Sequence, residues 1–424
     1  MRDRLRAYPM VLLLLPVVAA ILIFDLGKTP QFPEGDQVYW FVLKTGPKPT
    51  AKCERYEARA LSYGDVFLYL LRDSTRAMPM RGDTIRAYTS IESSGRTNRA
   101  FAARYTVKPA KQHKEPLQKI LYQRLSDAGL SGDELATIGA LTLGYKDDID
   151  PEVKRHFQAS GAAHVLAVSG LHTGILYALL IWLLTGGGFS KPMYEDRFRK
   201  TTHCIIVIIA MWAYAWLTGM TPSVVRAVIM VTIVEIGKII YRESISLNTI
   251  AAAAILILLV KPEDLFSVSF QLSFAATAAI VIIMNAFPLH LAGVKEIGRK
   301  TMAYVIGIIA VSLAAQAGTL PITMYYFGQI STYFLLTNLI VLPLATLLVP
   351  CGLATIALGG TWIGRLVGKM SYGLAWAMNH STGWIEHLRG STVSVHINGW
   401  MVGIYYIGFF IFCILLTNMY LKKD

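Results

Sequence analysis

Ser169 and His172 stand three residues apart in the run His164-Val-Leu-Ala-Val-Ser-Gly-Leu-His-Thr-Gly-Ile-Leu-Tyr-Ala-Leu-Leu180. At the helical period this spacing turns both side chains toward one neighbour, and serine beside histidine raises the question of nucleophilic catalysis. A serine hydrolase needs a base and an oxyanion hole, but Ala167-Val-Ser-Gly170 lacks a glycine before the serine and no histidine on a later span makes a compelling partner. No residue is assigned a catalytic role. Read as one helix, the run places His164 and His172 about 80° apart. Gly170 and Gly174 form a small-xxx-small pair that lets a second backbone approach. In hydrocarbon every polar group needs a partner, and irregular backbone survives only beside protein or water. The segment is therefore either a tight helix contact or the wall of a polar path.

Further along, Thr221 and Pro222 open a helix as N-cap and first-turn residue, with Arg226 one turn inside. A guanidinium at a helix N-terminus is a natural phosphate site, and a charge at membrane depth costs at least ~2.5 kcal/mol on insertion scales. Glu235 and Lys238, three apart, read as an ion pair. Phe266, Phe270 and Phe274 recur every fourth residue beside a polar stripe of Ser269, Ser273 and Thr277, with Gln271 four after Ser267. Such a double stripe either packs as core or lets bases slide past hydroxyls. Pro321, Pro343 and Pro350 are expected to break later spans, with Asn338 between breaks, as in transporters with a central site.

These residues must be carried by a membrane scaffold. The 424 residues are 54% hydrophobic with a formal charge of +13, and mean hydropathy is +0.47. Repeated apolar runs approach the ~20 residues that span a bilayer. The expected architecture is a polytopic α-helical membrane protein of about nine segments, some broken or re-entrant. The four cysteines are scattered and suggest neither disulfides nor a metal site; no cofactor is expected. No G-x-x-x-x-G-K-[ST] loop is present.

Four regions follow. Residues 1–27 read as an uncleaved signal-anchor, its Met1–Arg6 end basic and cytoplasmic. Residues 28–117 alternate short apolar runs with turn signals and read as a small β barrel or sandwich outside the membrane. That block holds 16 Lys and Arg against 9 Asp and Glu, which suits an anionic partner or merely solvates the domain. Tyr56, Tyr63, Phe67, Tyr69, Tyr88 and Tyr105 offer stacking rings, most of them core. Residues 118–162 read as interfacial amphipathic helices, with Ser131 and Asp150 as caps. Residues 163–424 form the membrane domain, in which Gly360–Arg389 reads as an interfacial helix anchored by Trp376 and Trp384. The basic loops Lys191–Thr202 and His290–Lys300 and the tail Lys422-Lys423 fall inside when Met1 is inside.

The run His164–Leu176 resembles the H-x-x-A-V-S-G-L-H signature of ComEC-type competence proteins. Thr221-Pro-Ser-Val-Val-Arg-Ala227 is similar to that family's P-S-x-x-R-A helix start. Lys261–Phe274 resembles its P-x-x-L-F-x-x-x-F-Q-L-S-F block, and Leu320–Gly328 with Asn338–Pro343 its last run. The resemblance covers about Leu135–Pro350; Gln37–Lys108 is placed like the family's outer OB-type domain. It implies a channel subunit that translocates single-stranded DNA across the cytoplasmic (inner) membrane in natural transformation, with nucleic acid bound by the outer domain. His164, Ser169, His172, Arg226, Phe270, Gln271, Ser273, Phe274 and Asn338 would line the DNA path, while Gly170, Gly174, Pro222, Pro321 and Pro343 pack or break helices. Many relatives carry a metallo-β-lactamase-like domain; no H-x-H-x-D-H run precedes Asp424, so no nuclease activity is expected of this polypeptide. A separate nuclease, a DNA-receptor protein and a cytoplasmic helicase-like motor are the partners implied. Two alternatives stand beside this reading: a transporter for another anionic solute or polymer, and a non-conducting scaffold that recruits a nuclease or motor.

Overall fold

The computed structural model describes residues 9–25, 35–50, 53–61, 64–71, 78–94, 97–108, 117–166, 168–186, 197–240, 246–286 and 297–420. The basic N-terminus, Tyr63, half of the loop 191–202, most of the loop 290–300 and the lysine tail lie outside them. The chain divides into two compact units, Leu22–Pro116 and a second made of Met1–Ile21 with Leu117–Asp424.

The first unit is built of β1 (Gln37–Leu43), β2 (Lys48–Pro49), β3 (Cys53–Ala60), β4 (Gly64–Leu71), β5 (Thr84–Thr89), β6 (Ile91–Ser94), β7 (Thr97–Ala102) and β8 (Tyr105–Lys108). The strand order is β6-β7-β4-β3-β1-β5-β8. β4 and β7 pair in parallel, and all other neighbours are antiparallel. Because β5 and β6 form one bent run, as do β7 and β8, the sheet returns on itself. Strict alternation drives this: Tyr39, Phe41, Leu43, Tyr56, Ala58, Leu68, Leu70, Ile85 and Ala87 point inward as one core. The other face is aromatic and basic. The Arg55 guanidinium lies 5.5 Å from the Phe67 ring centre, Arg86 lies 5.6 Å from that of Trp40, and Tyr69 stacks on Phe101 at 4.6 Å. Tyr88 is exposed, whereas Tyr56 and Tyr105 belong to the core.

The second unit is helical: α1 (Pro9–Asp25), α2 (Leu117–Asp127), α3 (Gly132–Leu143), α4 (Pro151–Ser160), α5 (Gly170–Leu184), α6 (Arg197–Leu217), α7 (Pro222–Ile239), α8 (Ser246–Val260), α9 (Val268–Ala286), α10 (Ile297–Phe327), α11 (Phe334–Leu358), α12 (Trp362–Glu386) and α13 (Gly399–Tyr420). β9 (Gln329–Ser331) and β10 (Thr392–Ser394) form a short antiparallel pair across the intervening helices α11 and α12. Among the described residues, four helices are long and apolar enough to cross a membrane: Phe198–Leu217, Val268–Asn285, Thr301–Phe327 and Phe334–Leu358. Gly170–Leu184, Leu247–Val260 and Gly399–Phe409 are apolar but shorter. α7 runs 18 residues and carries Arg226, Glu235 and Lys238, which sets it apart from the apolar spans.

Three expectations need correction. α3 is not an amphipathic surface helix: Leu135 to Leu143 are all buried, and the helix forms the centre of a core with α2, α4, α11 and α12. The tight spot is Gly352, where a Cβ would stand 2.6 Å from Thr142 Cγ2. Helix α12 does not lie alone at an interface either; its Gly364, Gly368, Ser371, Ala375 and Met378 face is buried, and its most extensive partner is α11. Lastly, α10 runs on through Pro321, and α11 through Pro343 and Pro350. Proline lacks the N–H that its i−4 carbonyl needs. For Pro321 that carbonyl is Ala317, and the Tyr405 hydroxyl of α13 donates to it at 2.8 Å. Tyr406 donates to the next carbonyl, Gly318, at 2.7 Å. Neighbouring side chains thus restore what proline removes.

Candidate functional site

The signature run does not start as a helix. α4 ends at Gly161 in a left-handed conformation, φ 90°, and a turn over residues 163–165 follows. Helix α5 begins only at Gly170, with Ser169 as extended N-cap. His164 therefore sits on irregular backbone and is exposed. His172 does the opposite. It is fully buried, and its Nδ1 accepts the Ser169 N–H at 3.0 Å. The histidine occupies the place that Glu or Gln takes in a capping box. An Nδ1 that accepts leaves the ring neutral with its proton on Nε2, and that nitrogen is buried without a hydrogen-bond partner among the described residues. The same bond commits the nitrogen 3.4 Å from Ser169 Oγ, so Ser169 has no activating base there.

Helix α7 meets this end of α5 directly. Ser223 Oγ donates to the Val168 carbonyl at 2.5 Å, and a Cβ on Gly170 would stand 3.9 Å from that of Ala227. Gly174 has open space beside it. The glycine pair thus leaves a gap and does not seat a close-packed helix, contrary to the packing expectation. Thr221 occupies the N-cap of α7 but makes no cap bond, and its hydroxyl is buried and unpartnered. Pro222 holds the first turn. Arg226 is only 4% exposed. Its Nη2 donates to Ser269 Oγ at 2.9 Å, while Nε is buried with no partner among the described residues. Asp264 acts on it electrostatically. Ser269 belongs to the first turn of α9, so the Arg226 guanidinium joins α7 to the start of α9, while the start of α5 is tied to the first turn of α7 through Ser223. Each N-terminus carries roughly half a positive charge and free N–H groups.

The remaining predicted positions fall elsewhere. Phe270 and Phe274 lie 4.3 Å apart, ring centre to ring centre, in a cluster with Ala254, Ile257 and Leu258 of α8 and Leu14, Val17 and Val18 of α1. Phe270 is buried in this cluster and Phe274 is packed against it. Gln271 caps the short turn before α9 by donating to the Leu265 carbonyl at 3.1 Å. The Ser273 carbonyl accepts the Thr277 hydroxyl at 2.8 Å, which places that residue in its own helix's bonding. Asn338 donates to Ser312 Oγ at 3.1 Å, with its own oxygen buried and unpartnered. Pro321 and Pro343 sit within continuous helices. Glu235 and Lys238 do pair, at 2.6 Å. Ser269 joins the site from the polar stripe read in the sequence, and Asp264 joins it without having been singled out; the signal available for Asp264 was its place just before a helix start. Among the described residues no group of His, Cys, Asp and Glu could hold a metal.

The family model described as competence protein matches residues 141–419. The chain is 32% identical over 218 residues to ComE operon protein 3 of Bacillus subtilis (51% of this chain, 25% of the relative). It is 28% identical over 211 residues to the uncharacterized protein YcaI of Escherichia coli (50% and 27%). It is 23% identical over 290 residues to recombination protein 2 of Haemophilus influenzae (67% and 35%). The chain thus spans between a quarter and about a third of the length of these relatives. No solved structure matches it.

Proposed function

The chain belongs to the competence protein family, and on that premise we propose that its helical unit forms part of a channel translocating single-stranded DNA across the cytoplasmic membrane during transformation. The single observation that carries this reading is the junction of α5, α7 and α9. Three positive helix ends, a nearly buried Arg226 with an uncommitted Nε–H, and the uncommitted His172 Nε2–H all call for an anionic oxygen. The bundle supplies no ion pair to Arg226 among the described residues, and a passing phosphate would supply the missing acceptors. His164, accessible beside them, suits the rim of that path. Asn338 with Ser312 marks a second polar point for the strand.

The β unit suits the role of an extracytoplasmic feeder. Its strand connectivity, including the parallel β4–β7 pair, supports an OB-type barrel. The outward Arg55, Phe67, Tyr69, Arg99 and Phe101 on β3, β4 and β7 provide guanidinium and ring surfaces suited to stacking bases without reading sequence. With the N-terminus cytoplasmic, the unit stands outside, and a separate nuclease, a DNA receptor and a cytoplasmic motor complete the system.

The test measures fluorescent single strands bound by the chain in nanodiscs across a salt series, and uptake of labelled DNA in cells. Arg226→Gln should weaken binding, shallow the log–log salt slope by about one, and cut uptake at least about tenfold. Tyr69→Ala should weaken binding with little change in slope, since stacking releases no counterions. Unchanged uptake in Arg226→Gln sinks the path assignment. Competition by inorganic phosphate as effective as by oligonucleotide would point to a small-anion carrier instead.

A further inference from the structure

α5 and α7 run parallel: Gly170 meets Ala227 at one end and Tyr177 meets Glu235 further along. Parallel neighbours place like dipole ends side by side, so backbone electrostatics opposes their contact and does not fix their register. Something else must. At the far end from Arg226, Glu235 is buried to 1% exposure. The Tyr177 hydroxyl donates to its Oε1 at 2.6 Å, and Lys238 Nζ donates to the same oxygen at 2.6 Å. Lys238 also donates to the Tyr177 oxygen at 2.8 Å, closing a three-membered ring of hydrogen bonds across the seam. Trp212 Nε1 ties the neighbouring α6 to Thr232 of α7 at 3.2 Å.

We propose that Tyr177, Glu235 and Lys238 are positioning residues that lock the register of α5 against α7, and thereby set the spacing of the His172 and Arg226 donors at the anion site. The proposal rests on that site for its purpose but not for its test. An ion pair removed from water is costly and contributes little net stability, yet it fixes geometry because misalignment leaves buried charge uncompensated. Lys238 also sits in the last turn of α7, where a cation offsets the negative helix end. Neither group contacts the Arg226 face: nine residues separate Arg226 from Glu235, half a turn out of phase at the helical period.

The register can be read directly, because the 3.9 Å between the Cβ positions of Gly170 and Ala227 lies within the range that a disulfide bridges. In the full chain with native cysteines replaced by alanine, Gly170→Cys with Ala227→Cys should cross-link efficiently on mild oxidation. Replacing the pin with apolar residues, Glu235→Leu with Lys238→Met, should keep the fold and cut the cross-link rate about tenfold, the weight of one or two hydrogen bonds to charged groups. Tyr177→Phe, which removes one hydroxyl, should lower it less and in the same direction. A parental rate in the folded apolar variant overturns the proposal. If that variant does not fold, a parental rate in Tyr177→Phe overturns it equally. No nucleic acid is present, so the result is independent of what the site binds.

Discussion

Tyr56 shows how a single residue carries a condition of the fold. Its ring is fully buried in the β unit, its hydroxyl lacks a partner among the described residues, and burial, aided by the Glu54, Tyr105 and Asp83 charges, raises its pKa well above the usual 10.0. The unfolded chain releases that proton at about pH 10 while the folded chain holds it. The contribution is therefore fully present below pH 10 and lost as pH rises above it. Unfolding of the β unit followed by tyrosine absorbance should show a stability loss above pH 10 that Tyr56→Phe shallows, with no cost at neutral pH because no hydrogen bond is lost. Individual residues were unevenly legible. Arg226 could be singled out because charge at membrane depth demands a reason, and Glu235 with Lys238 because three-residue spacing pairs them. The Phe270–Phe274 stripe was ambiguous, since periodicity says that a face is apolar but not whether protein or cargo covers it. His172 was found for its type; its function as a cap in the place of a glutamate depends on where the helix starts, and that is a tertiary fact.

At the scale of elements, proline was the weakest guide. Pro321, Pro343 and Pro350 forecast breaks, and continuous helices run through all three. The sequence around Pro321 holds no hint of its remedy, because Tyr405 lies 88 residues away from the carbonyl it satisfies. A direct consequence can be measured. Tyr405→Phe should destabilise the chain by about 1–3 kcal/mol by leaving the Ala317 carbonyl bare. Pro321→Ala restores the missing N–H, so Tyr405→Phe should cost much less in that background. Denaturation in mixed micelles reports both, and equal costs in the two backgrounds would dismiss the explanation. The start and stop signals of α4 were plain, with Asp150 accepting the Glu152 N–H at 2.7 Å as cap and Gly161 as terminator. That α3 is buried all round was not legible, because a short mixed helix looks amphipathic until its neighbours are known.

At the scale of the whole molecule, alternation and hydropathy separated a strand-rich block from a helical remainder, and two compact units match that division in kind. Among the described residues four helices meet both the length and the composition of a membrane span, and further apolar helices of 10–17 residues meet the composition alone. The helical unit also has a property that follows from the parallel course of α5 and α7 and the shared start of α9. The starts of α5 and α7 lie together on the side of Arg226, which bonds the first turn of α9, and the ends of α5 and α7 lie together on the opposite side. Such a body is electrically lopsided from one side to the other. Set in a planar bilayer in one orientation, it should behave as a rectifier: anion current should be larger at one polarity of voltage than at the other. Arg226→Gln should flatten the curve, and a symmetric current–voltage relation in the native chain would show that the helix ends do not govern entry.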